Sequence, residues 1–147
     1  MMLNILTEAP GNNMNSTESL IQHYYEYFNQ RNIPAFLNLL NNDVVHDINQ
    51  GDTEIGIQAF TAFMGRMDDA YEETIKDLVI MNTPDGKRAS AEFVVLGTYK
   101  KTEQELPTAH HQTYELRCGA FFEINNNKIA RVTNYYNMQH WLKQVEG

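Results

Sequence analysis

The chain predicts an α+β domain with its helices on one face of a curved, mostly antiparallel sheet, and three observations carry that prediction. Apolar residues recur at helical spacing in three stretches before residue 71. Beyond it the period drops from 3.6 to 2. Four strand candidates then follow one another, joined by turn signals and one longer polar linker, as an antiparallel meander.

The elements follow in order. Asn15-Ser16-Thr17-Glu18 is a capping-box-like start, and Leu20, Ile21, Tyr24, Tyr27 and Phe28 predict a first helix to about Arg31. Pro34 suits the first turn of a second helix marked by Phe36, Leu37, Leu39 and Leu40. Val44-Val45-His46-Asp47-Ile48 reads as a strand, closed by a loop at Gly51-Asp52. Ile57, Phe60, Phe63, Met64, Met67 and Tyr71 form one apolar stripe on a third helix. Strands are expected over about 73–82, 87–100, 111–124 and 128–137. Thr83-Pro84-Asp85-Gly86 and Asn125-Asn126-Asn127 are turn signals, and Thr102-Glu103-Gln104-Glu105-Leu106-Pro107 is a surface loop. A last turn or two of helix runs from Gln139 to Val145. Residues 1–14 are expected to be a weakly ordered leader and 15–147 a single domain, long enough at 147 residues in all to bury a real core.

A net charge of −8 without any Lys/Arg cluster argues against nucleic acid or an anionic membrane surface as partner. No apolar run approaches the roughly 20 residues of a membrane span. The N-terminus lacks the basic region and long apolar run of a signal peptide, so a cytoplasmic protein is expected. One cysteine, Cys118, excludes an internal disulfide, and its place in a strand reads as a buried, inert thiol. His110-His111 has no further ligand at metal spacing, so no metal or other cofactor is expected. Glu92 reads as facing solvent, and Asp68, Asp69, Glu72 and Glu73 as a solvated face.

A bent sheet wrapped by helices leaves a cleft, and a ring-rich cleft with a few polar groups is the default ligand site. The first candidate there is Asp47, because a carboxylate buried among apolar neighbours is pushed toward neutrality and becomes a competent base near pH 7. The alternative is an Asp at a strand end, facing solvent and bonding the turn. His46 alternates away from Asp47 and reads as a hydrogen-bonded structural histidine on the other side of the strand. Tyr24 shares the first helix's apolar stripe, so it is core before anything else.

Four segments together resemble the cone-shaped nuclear-transport-factor-like superfamily, in its ketosteroid isomerase and SnoaL-like branch. They are Asn41-Asn42-Asp43-Val44-Val45-His46-Asp47 with Gly56-Ile57-Gln58-Ala59-Phe60, then Gly119-Ala120-Phe121-Phe122-Glu123, then Lys128-Ile129-Ala130-Arg131. The resemblance runs from about Thr17 to Val145 and is nearest to ketosteroid isomerase-related proteins. It implies a barrel-like cone with three N-terminal helices packed on the sheet, and a homodimer paired through the sheet face. It places Asp47 at the isomerases' proton-shuttling aspartate and Tyr24 at their oxyanion-hole tyrosine. The second oxyanion donor falls at Cys118 or Gly119, neither of which can donate strongly. The acid of SnoaL-like cyclases falls at Asn134, an amide that orients a carbonyl but moves no proton. Fold alone does not decide function in such a superfamily.

The expectation is therefore an isomerase-like enzyme in which Asp47 abstracts a proton beside a carbonyl of a small apolar compound. Tyr24 and Asn134 would bind the enolate oxygen, while Tyr136, Phe121, Val132 and Trp141 line the pocket. The alternatives are a non-catalytic binding or dimerisation module and a SnoaL-like polyketide cyclase.

Overall fold

The structure is a computed structural model that describes the backbone of residues 2–147 and the side chains of residues 16–147. Its elements are α1 (Met2–Gln30), α2 (Ile33–Leu37), β1 (Leu40–Asp47), β2 (Thr53–Ile55), α3 (Ile57–Ala70), β3 (Tyr71–Asn82), β4 (Arg88–Tyr99), β5 (Gln112–Asn125), β6 (Lys128–Tyr136) and α4 (Met138–Val145). The leader expected over residues 1–14 and the cap expected at Asn15 fall outside the residues whose side chains are described. No helix among the described residues is long and apolar enough to cross a membrane.

The strands form one curved, unclosed sheet in the order β2-β1-β6-β5-β4-β3. Among the described residues the β1–β6 pairing is parallel and the others are antiparallel. The α+β class, the three helices ahead of the meander and the short terminal helix are as the patterning predicts. Apart from the start of α1 at Met2, ahead of the cap expected at Asn15, three boundaries differ. Tyr71 opens β3 rather than closing α3, and Leu40 opens β1 rather than extending α2. The stretch read as a loop after Gly51 contains the short edge strand β2. Three residues are too few for a visible alternation.

Local chemistry explains the joints. The Asn32 side chain caps α2 by accepting from the backbone N–H of Ala35 at 3.3 Å, with Pro34 in the first turn. Asn126 and Asn127 both adopt left-handed backbone, with φ of 53° and 60°, which a two-residue hairpin between β5 and β6 demands. Gly86 has φ +72° and lies against Thr17, whose hydroxyl donates to the Gly86 carbonyl at 2.7 Å. That bond ties α1 to the β3–β4 turn. Farther along α1, Asn29 exchanges two hydrogen bonds with the backbone of Ile75, at 3.0 and 2.8 Å. β3 is irregular just beyond, between Lys76 and Val79, where Asp77 has φ 54°.

The core lies between the helices and the concave face of the sheet. Ile21, Tyr24 and Tyr25 of α1, Phe36 of α2 and Phe60 of α3 pack over Phe122, Ile129 and Val132. Phe36 and Phe60 are essentially inaccessible, and burying a ring of that size contributes about 1.5–3 kcal/mol. The layers do not close everywhere, and the space left between them is the site.

Candidate active site

A cavity of about 340 Å³ opens between α1, α3 and the concave sheet face, within the usual size of a small-molecule site. Its walls are mostly apolar, with rings from Phe28, Phe63, Tyr71, Phe93 and Trp141. The polar groups are few, and their placement departs from the sequence expectation at the most important residue.

Asp47 does not face the cavity. Within β1 the buried residues are Leu40, Val44 and His46, so His46 points inward and Asp47 outward. The alternation was anticipated; the side was reversed. On the outer face Asp47 stands between Thr53 of β2 and Thr133 of β6, its partners in register. Arg131 grips the carboxylate with two bonds, Nε to Oδ2 at 2.7 Å and Nη2 to Oδ1 at 3.1 Å. Thr133 donates to Oδ2 at 2.6 Å and Thr53 to Oδ1 at 2.8 Å. These donors hold the Asp47 carboxyl far below the usual carboxylate range, Arg131 contributing most. A base needs the opposite shift. The expectation that Asp47 is a base buried in the cleft is corrected on both position and electrostatics.

The other expected residues divide. Tyr24, Asn134, Tyr136 and Trp141 line the cavity. Burial pushes the Tyr24 phenol up, so its hydroxyl stays protonated and can act only as a neutral hydrogen-bonding group. Asn134 and Tyr136 share the inward face of β6 with Val132, as alternation predicts. Val132 is fully buried in the core and does not reach the cavity. Phe121 is on the outer face, 52% exposed and edge-on to Tyr135 at 5.8 Å, because its neighbour Phe122 takes the inward position. It lines nothing.

Glu73, expected on a solvated face, is on the cavity wall. Across three strands Glu73 of β3, Gly97 of β4 and Tyr114 of β5 stand in one row. The Tyr114 ring lies flat over Gly97, where a Cβ would collide with it, and its hydroxyl donates to Glu73 Oε2. Burial raises the Glu73 carboxyl above the usual range, while the bond from Tyr114 and the charge of Arg31 partly offset the rise. The Tyr114 phenol is itself pushed up by burial and by the Glu73 charge, so the shared proton belongs to the tyrosine when Glu73 is ionised. Nearby, Tyr71 donates to Glu103 Oε1 at 2.7 Å, which brings the β4–β5 loop onto the cavity rim. A period-2 signal at Tyr71-Glu72-Glu73 was available in the sequence, but the helical stripe ending at Tyr71 masked it.

Cys118 lines the cavity as a thiol pushed up to about 12 by burial, with Sγ donating to the Leu116 carbonyl at 3.6 Å. It is no nucleophile at neutral pH. Glu92 faces solvent and pairs with Arg117 at 3.3 Å. His110 and His111 lie in an exposed loop. Among the described residues no three His, Cys, Asp or Glu side chains converge as metal ligands would.

The cavity thus gathers a half-buried carboxyl of raised proton affinity with phenol and amide groups inside an apolar enclosure. The SnoaL-like domain family model matches residues 21–132, most of the chain, while Asn134, Tyr136 and Trp141 of the cavity wall lie beyond the matched range. The chain belongs to the SnoaL-like family. It is similar to a proposed polyketide cyclase from Pseudomonas putida, with 52% identity over 88% of this chain and 97% of that one and a TM-score of 0.86. A proposed polyketide cyclase from Xanthomonas campestris shares 47% identity over 91% and 99% of the two chains, with a TM-score of 0.89. An LEH-like epoxide hydrolase of M. tuberculosis shares the fold at 12% identity, with 90% of each chain covered and a TM-score of 0.67. No curated protein matches the sequence. The SnoaL-like assignment agrees with the resemblance read from the sequence, and with a curved sheet whose concave face is roofed by helices.

Proposed function

We propose that this SnoaL-like protein is an acid–base enzyme that closes a ring within an apolar carbonyl compound, with Glu73 moving the proton. The observation that carries the reading is the Glu73 carboxyl on the cavity wall, its proton affinity raised by burial and its position held by Tyr114. Ionised Glu73 takes a proton from the carbon beside one carbonyl. Tyr24 and Asn134 donate hydrogen bonds to the enolate oxygen, and the enolate carbon attacks a second carbonyl of the same molecule. One carbon–carbon bond forms, and the proton held by Glu73 passes to the new alkoxide. Every atom is conserved and Glu73 ends as it began, so the step needs no co-reactant.

The proposed cyclase activity of relatives 40–52% identical supports ring closure over the isomerisation expected first. An isomerase would share the enolate step, but the aspartate that the resemblance assigned to it lies outside the cavity. Ring closure of 1-phenylheptane-2,6-dione, followed alongside deuterium uptake at its α-carbons in D₂O, tests the reading. The wild type is expected to accelerate both, and Glu73→Gln to lower both by about a hundredfold or more. Rates untouched by Glu73→Gln would remove Glu73 from the mechanism. Binding of the diketone with neither exchange nor product would favour the non-catalytic module instead.

A further inference from the structure

Among the described residues the cavity wall carries one Lys or Arg side chain, Arg31, beside the acids Asp68, Glu73 and Glu103. Arg31 is exposed as well as lining the cavity, which puts it at the mouth. It follows the last turn of α1 in left-handed backbone, with φ 60°. Its N–H bonds the Phe28 carbonyl at 3.1 Å, and that of Asn32 bonds the Tyr27 carbonyl at 2.9 Å. This paired closure ends many helices, and its left-handed place is ordinarily taken by glycine. Here a long cationic side chain holds it.

Two contacts fix where the guanidinium lies. Nη1 donates to the Phe28 carbonyl at 2.9 Å, and the group sits 5.6 Å from the centroid of the Phe28 ring, itself part of the cavity wall. Two residues earlier, the hydrogen bonds between Asn29 and Ile75 clamp the end of α1 to β3. Ile75 and Glu73 share the inward face of that strand, so the clamp holds Arg31 near the Glu73 carboxyl. The Arg31 charge accordingly lowers the proton affinity of Glu73. Among the described residues, however, no carboxylate comes close enough to pair with Arg31. Most of its planar fork of N–H donors is left without a partner.

Arg66 provides the contrast. It makes the matching contact with Phe63, also at 5.6 Å, but is not part of the cavity wall. The wall acids do not form a competing cation site. No three acidic, His or Cys side chains converge among the described residues, and Glu73 and Glu103 already accept the hydroxyls of Tyr114 and Tyr71.

We propose that Arg31 is an anion subsite of the cavity, and that the ligand is an apolar carbonyl compound bearing one carboxylate. The proposal rests on the reading of the cavity as a carbonyl-compound site and narrows it. A carboxylate has the two-oxygen geometry that a guanidinium fork binds. The apolar remainder of the ligand is left to the rings of the wall. Asp68 and Glu103 repel a further negative charge, so a single carboxylate is accommodated.

The test compares 2-naphthoate, 2-naphthamide and 2-naphthylmethylammonium by titration calorimetry at low salt. The wild type is expected to bind the naphthoate about tenfold more tightly than the neutral amide, with the ammonium weakest. Arg31→Gln keeps part of the stem and is expected to bring that preference close to unity, leaving the amide nearly unchanged. Arg66→Gln removes an equal charge away from the wall and is expected to keep the preference. On the wild type, about 0.5 M sodium chloride is expected to erase most of it, which tests the subsite without any variant. A naphthoate that binds no better than the amide or the ammonium would overturn the proposal. So would a preference that survives Arg31→Gln or high salt, or one lost equally in both variants. Affinity is read without turnover. A naphthoate preference in a protein inert toward the diketone would keep the subsite and sink the cyclisation, and ring closure without the preference would do the reverse.

Discussion

The hydroxyl of Tyr114 reaches the carboxylate of Glu73 by lying across a strand that has no side chain to stop it. Gly97 stands between the two in register, and the ring covers its backbone. Gly97→Ala is expected to push the ring off that seat and to destabilise the fold by about 1–3 kcal/mol, the usual range for overpacking. In a Tyr114→Ala background the same substitution should cost much less, because nothing is left to collide with. Urea denaturation of the four proteins measures the coupling, and simple additivity would show that the ring does not depend on Gly97.

On the proposed mechanism, Tyr114 also sets the pH at which Glu73 becomes a base. Its hydrogen bond stabilises the ionised carboxylate, opposing the larger effect of burial. Tyr114→Phe removes that bond, so Glu73 should hold its proton to higher pH. A base must be ionised to act, and the rising limb of the kcat/KM profile should therefore move to higher pH. A limb that stayed in place or moved down would contradict the assignment.

Asp47 should behave as a structural residue. Asp47→Asn is expected to keep activity within a factor of about three and to lose about 1–3 kcal/mol of stability near neutral pH, as charged hydrogen bonds to Arg131 and the two threonines are weakened. The sign of the pH dependence follows from a folded carboxyl held below its unfolded value of about 3.9. The stabilisation is complete above that value and is lost as the pH falls toward the folded one. Denaturation of wild type and variant should therefore converge in acid.

The outer sheet face carries the exposed rings of Phe121 and Tyr135 in contact with each other. We propose that this is where two copies pair, as the resemblance implies. Phe121→Glu should then convert a dimer, measured by light scattering, to a monomer with the same ultraviolet circular dichroism. A monomeric wild type would rule this out.

Much of this architecture was legible in the residues. Patterning alone yielded the α+β class, the meander and its Asn126-Asn127 hairpin, and the shared inward face of Val132, Asn134 and Tyr136. The site was harder to read. Alternation correctly separated His46 from Asp47, but Val44 and Val45 are both apolar and do not say which face is buried. The groups that decide it, Arg131 and Thr133, lie 84 and 86 residues away. Glu73 was hidden for a related reason. It follows Asp68, Asp69 and Glu72 in a run that looks solvated, and its tyrosine partner is 41 residues further on. Local sequence reports local periodicity, whereas a buried carboxyl is defined by what folds against it.

Titration of the side-chain carboxyls by ¹³C NMR bears on all of this most directly. Glu73 should release its proton above the ordinary glutamate value of about 4.3, and Asp47 should stay ionised well below the ordinary aspartate value. A Glu73 that titrates at or below the ordinary value, or an Asp47 raised above its own, would contradict the assignment of the cavity's base.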